Sequence, residues 1–96
     1  MDYPIWALSG RFCGKVIDDQ VYDQNGHHVG YIDESRIFSV RTGKVIGEFY
    51  NENRVGIRTF KSYPVRGGRG IRGSRGFCRR SNKGGISPGG WSEPKF

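Results

Sequence analysis

The chain reads as an all-β protein, a tandem series of β-hairpins followed by an extended Gly/Arg-rich arm, and three observations carry that reading. A unit of sixteen residues recurs, placing Ile5-Trp6, Val21-Tyr22 and Ile37-Phe38 at one station. Each copy then reaches a Gly turn, at Ser9-Gly10, Asn25-Gly26 and Thr42-Gly43. The charge also changes sign along the chain. Residues 1–57 hold six Lys/Arg against eight Asp/Glu, whereas residues 58–96 hold ten against the single acid Glu93, within a total of +7. A short fixed period implies units that stack to share a core, since no single hairpin buries a face alone.

The first copy runs Ile5 to Val16, the second Val21 to Ile32, and the third Ile37 to Phe49. Asn25-Gly26 tolerates positive φ at both centres of a type I′ turn. Such a turn sets Gln24 opposite His27, Asp23 opposite His28, Tyr22 opposite Val29 and Val21 opposite Gly30, so aromatic meets β-branched across the pair. Gly14, Gly30 and Gly47 each lie four residues beyond the turn Gly, which in a strand signals a bulge, a bend or a close backbone approach. The polar clusters Asp18-Asp19-Gln20, Asp33-Glu34-Ser35 and Asn51-Glu52-Asn53 supply a second set of turns. Arg54-Val55-Gly56-Ile57-Arg58 begins a degenerate fourth copy. No long segment has the 3.6-residue periodicity of a capped helix. Closing the hairpins into a ring removes exposed strand edges.

Val21-Tyr22-Asp23-x-x-Gly26, Val29-Gly30-Tyr31-Ile32, Ile37-Phe38-Ser39 and Thr42-Gly43-Lys44-x-Ile46-Gly47 together resemble the four-fold β-flower proteins, small bacterial proteins. That resemblance covers roughly residues 5–57 and implies hairpin petals around a shallow barrel-like centre. It implies no settled activity and transfers no catalytic residue. Two departures stand out, a poorly formed fourth petal and an unmatched C-terminal segment.

Charge and composition divide the chain into a hairpin-repeat domain, 1–58, and a basic arm, 59–96, which holds nine of the sixteen glycines. A domain of the first length buries little surface, so self-association into a homo-oligomer, or docking of the C-terminal segment, is expected to support it. No apolar run reaches membrane-spanning length and Met1-Asp2-Tyr3-Pro4 has no secretory pattern, which points to the cytoplasm.

The arm carries the functional expectation. Arg66, Arg69, Arg72 and Arg75 recur every third residue, so in a polyproline-like conformation their guanidinia line one side. Arg58, Lys61, Arg79, Arg80 and Lys83 extend the basic run, and Tyr63, Phe77 and Trp91 offer faces on which unpaired bases stack. Arginine forks onto phosphate while glycine lets the backbone come close. The expected partner is nucleic acid or a ribonucleoprotein. The alternative is an acidic protein surface, as for a phage-type inhibitor whose arm enters a partner's nucleic-acid groove. Arg11, His27, Arg41 and Lys44 gather at the Gly tips as a secondary basic rim, opposite an acidic rim at the other turns.

Chemistry of other kinds finds no constellation. Cys13 aligns with Val29 and Ile46 and reads as a buried thiol; a Cys13–Cys78 disulfide is disfavoured in a reducing compartment. His28 matches Phe12 and Val45, a core station, and adjacent strand residues face opposite ways, so His27 and His28 do not share a metal. The Asp18-Asp19 and Asp33-Glu34 pairs match no calcium loop. With no nucleophile or acid–base pair and no phosphate loop leading into a helix, the expectation is a non-enzyme without cofactor or metal.

Overall fold

A computed structural model describes residues 2–58, 62–66, 68, 70–73 and 80–96. Eight strands and no helix appear among them: β1 Asp2–Ala7, β2 Phe12–Ile17, β3 Gln20–Asp23, β4 His28–Asp33, β5 Arg36–Ser39, β6 Val45–Phe49, β7 Arg54–Arg58 and β8 Trp91–Ser92. Each of the first seven pairs antiparallel with the next, and a short parallel pairing of β1 with β7, Trp6 to Arg54 and Ala7 to Val55, closes a seven-stranded barrel. The all-β hairpin series is therefore as expected.

The three copies share one irregularity. Pairing slips by one residue between Ile5 and Trp6, Val21 and Tyr22, and Ile37 and Phe38, leaving Cys13, Val29 and Ile46 as the extra residue of each bulge. The repeated glycine follows that residue. A Cβ on Gly30 would lie 2.7 Å from Ile37 Cγ2 and 2.8 Å from the Phe38 carbonyl oxygen, and one on Gly47 would lie 2.7 Å from Val55 Cγ1. A bulge together with close approach is thus the geometric reason for the glycine.

Two expectations are corrected. Asn25-Gly26 is not a type I′ turn: Gly26 N–H donates to Asp23 O at 3.0 Å, Asp23 N–H donates to His27 O at 2.9 Å, and only Gly26 has positive φ, +84°. This is a type I turn closed by a left-handed Gly. Asp23 Oδ1 favours it by accepting the N–H groups of Asn25 and His27 at 2.9 and 3.0 Å. The type I′ geometry sits instead at the acidic turns, with positive φ at Asp18 and Asp19 and at Glu34 and Ser35. Consequently Tyr22 pairs with His28 rather than Val29, although Val21 does face Gly30.

Successive apolar residues in each strand point to opposite faces, and both faces are buried. Ile5, Ala7, Cys13, Val16, Val21, Ile37 and Val55 form one cluster. Tyr31, Phe38, Val40, Val45 and Ile57 form another, against which Tyr63 of the arm packs. Trp6, Tyr22 and Phe38, the recurring aromatics, are all buried. Cys13 is a free, buried thiol, pushed up to about 11 by that burial; Cys78 lies outside the described residues.

The fourth hairpin has an unusual tip. β7 does find a return strand, β8, with Ile57 opposite Ser92 and Arg58 opposite Trp91. Residues 59–90 intervene where the other petals have a short Gly turn.

Candidate polyanion interface

The described parts of the arm run along the three Gly tips in reverse order. At the third tip, Arg66 N–H donates to Gly43 O at 2.7 Å, and the arm passes so close that a Cβ on Gly68 would lie 2.6 Å from Arg41 O. At the second, Arg72 N–H donates to His28 Nδ1 at 2.9 Å. At the first, Lys83 N–H donates to Gly10 O at 2.8 Å, Asn82 Oδ1 accepts from Phe12 N–H at 3.0 Å, and the Trp6 indole donates to Ser81 O at 2.9 Å. Ile86 N–H then bonds Leu8 O, and the chain enters β8.

This path explains the doubly apolar strands. The first and third copies present an aromatic, Trp6 and Phe38, to the arm, which lies over both. The Arg66 guanidinium lies 5.1 Å from the Phe38 ring centre and the Lys83 ammonium 4.0 Å from that of Trp6. In the second copy Tyr22 packs against His28 with the rings tilted by 35°, and the His28 ring receives Arg72.

Barrel carboxylates hold the arm in place. Asp33 pairs with Arg66 at 2.7 Å. Buried Glu48 accepts from the Tyr63 hydroxyl at 2.7 Å and lies 3.3 Å from Arg58 Nε. Burial, and then the bond to Glu48, raise the Tyr63 phenol above its ordinary value. Glu93 of the arm caps the first tip, accepting from Ser9 N–H at 3.0 Å and Ser9 Oγ–H at 2.6 Å. Beyond it, Lys95 N–H bonds Ile46 O, and Phe96 packs on the inner cluster.

The residues expected to bind a partner are therefore distributed unequally. Arg58, Arg66 and Lys83 spend charge on the barrel; Tyr63 packs beneath Arg36, and Trp91 lies between Tyr50 and Arg58. Arg72 and Arg80 have exposed side chains. Lys61, Arg69, Arg75, Phe77 and Arg79 lie outside the described residues, as does half of the period-three arginine ladder. Arg11, His27, Arg41 and Lys44 are exposed at or beside the tips; Arg11 donates to Phe96 O at 2.9 Å, and His27 lies 3.7 Å from Asp23.

Sequence reasoning missed the anchors Asp33, Glu48 and Glu93. Glu48 carried a usable signal, an acid between Gly47 and Phe49 in an otherwise apolar strand. Among the described residues, no three His, Cys, Asp or Glu side chains converge as metal ligands, and no helix is long and apolar enough to cross a membrane. A shallow cleft of about 340 Å³ lies between the first tip and β8, walled by Leu8, Ile86, Pro88 and Trp91. Comparison with protein-family models, curated proteins and solved structures finds no match.

Proposed function

We infer that this protein is a non-enzymatic binding module for a polyanion, nucleic acid or a ribonucleoprotein, working in the cytoplasm on a β-flower-like scaffold. The observation that carries the reading is the course of the arm along the Gly tips. It sets Arg72 beside the His27-His28 hairpin, Arg66 beside the Arg41–Lys44 hairpin and Lys83 beside Arg11, so the arm and the secondary rim join into one basic edge. Cations gathered on such an edge attract a phosphate chain and release its counterions on contact. The described aromatics are largely occupied within the protein, which favours phosphate contact over base stacking.

Fluorescence anisotropy with a labelled oligonucleotide tests this reading. Affinity is expected to fall linearly in log–log form as salt rises, and Arg72→Gln with Arg80→Gln to flatten that slope by about two counterions. Absence of binding to both single- and double-stranded oligonucleotides at low salt refutes it. Point substitutions serve better than truncation after Arg58, which would uncover Trp6 and Phe38.

The second reading, an acidic protein partner, draws on the apolar side chains the arm leaves in water, Val65 at 66% and Ile71 at 55% exposure. Phosphate has no use for these, whereas a protein surface does. It predicts a stoichiometric protein complex that survives nuclease.

A further inference from the structure

We propose that His28 is a pH-operated latch that holds the middle of the basic arm on the barrel and lets it go in mild acid. The imidazole is buried, at 6% exposure, and both ring nitrogens are engaged. Nδ1 accepts the Arg72 main-chain N–H at 2.9 Å, a contact across 44 positions of sequence, and Nε2 lies 2.8 Å from Gln20 Oε1. An amide N–H only donates, so Nδ1 must be bare and Nε2 must carry the proton that Gln20 accepts. The tautomer is thereby assigned.

Protonation puts a second hydrogen on Nδ1, facing the N–H of Arg72. Donor then meets donor, and the bond that seats the arm at the second tip becomes a repulsion. The surroundings offer the new charge one backbone acceptor, the Gly30 carbonyl, and little else. The Tyr22 ring packs tilted against the imidazole, 5.1 Å between ring centres, and Gln20 is neutral, both on β3. Arg72 brings a positive charge from the arm, and the acid of this hairpin, Asp23, is committed to the turn amides and to His27. Burial is the largest cause and lowers the histidine from its ordinary value; the Gly30 carbonyl opposes it, and the Arg72 charge adds to it as the least of the three. The latch is closed above about pH 6.5 and opens as pH falls through the lowered value, since the released state binds the extra proton.

The repeat shows that the histidine is not needed to build the hairpin. Its station is filled by Phe12 in the first copy and Val45 in the third, both buried apolar residues. Only the second copy places a titratable acceptor there, where the arm crosses. Release would free the Arg72 segment to follow a phosphate chain, so by linkage a bound polyanion would favour the protonated form. That last step rests on the polyanion reading; the latch does not.

The test is an NMR titration of the unliganded full-length protein from pH 7.5 to 4.5. The Arg72 amide proton is expected far downfield at pH 7.5 and to lose that shift with the same midpoint as the His28 ring carbons, below 6.5. In His28→Phe the amide should lack the downfield shift at every pH, with the barrel amides unchanged. An Arg72 amide that stays put while His28 titrates overturns the latch, as does a His28 midpoint at or above 6.5. A parallel anisotropy series with inorganic polyphosphate reads the linkage: wild type should gain more affinity between pH 7.5 and 5.5 than His28→Phe. Equal gains would remove the linkage and, with the NMR midpoints matched, leave the latch standing.

Discussion

Gly30 offers the sharpest test of the barrel geometry. A single methyl at this position would meet Ile37 Cγ2 at 2.7 Å and the Phe38 carbonyl oxygen at 2.8 Å, with Ile46 Cδ1 at 3.4 Å. The isoleucine methyl can turn aside, but the carbonyl belongs to a paired strand and moves only with it. Overpacking of this kind costs about 1–3 kcal/mol. For a domain of this size that lowers Tm by roughly 5–20 °C. Gly30→Val adds two more methyls in the same crowded space and should prevent folding. Gly84→Ala is the control, because nothing lies within 4 Å of its Cβ; it should leave stability unchanged or raise it by a few tenths of a kcal/mol. The assay is urea unfolding followed by tryptophan fluorescence, with the m-value compared to detect changes in the denatured state. A Gly30→Ala variant as stable as the parent, with an unchanged m-value, would show that β4 and β5 do not pack as described.

Other consequences concern the arm. Glu48→Ala strips a charged acceptor from Tyr63 and Arg58 and should cost roughly 2 kcal/mol; ultraviolet titration should show the Tyr63 phenol ionising at lower pH in the variant than in the parent. Because the folded protein holds that phenol protonated, stability should decline as pH rises above 10, and less so in Glu48→Ala. Asp33→Asn breaks a pair whose two side chains are 34% and 44% exposed, so its effect on global unfolding should stay below about 1 kcal/mol. Cys13, buried and ionising near 11, should resist a disulfide reagent at pH 8 in a Cys78→Ser background and react fully in urea; rapid labelling of the native protein would contradict the burial.

Particular residues show how far the sequence could be read. Spacing located Trp6, Tyr22 and Phe38 at one station and placed Cys13 and His28 in buried positions, because a period of sixteen constrains each residue by its counterparts. Pairing at Asn25-Gly26 was misjudged because turn type depends on a side chain, Asp23, competing for the turn amides. The return strand of the fourth petal was missed since Trp91-Ser92 lies more than thirty residues beyond β7, past any local pattern. The basic arm was legible as composition, yet its contacts with Glu48, Asp33 and the tips were not.

By itself, the sequence determined the hairpins, their number in the repeat, the glycines at the bulges and the division of charge. These are local properties, written in alternation and turn chemistry within a few residues. Tertiary structure alone decided that the barrel closes through β1 and β7, that the described arm lies over Phe38 and Trp6, and that His28 meets Arg72. Those outcomes arise from surfaces that must be buried against something distant in the chain, and local pattern carries no record of which segment arrives to bury them.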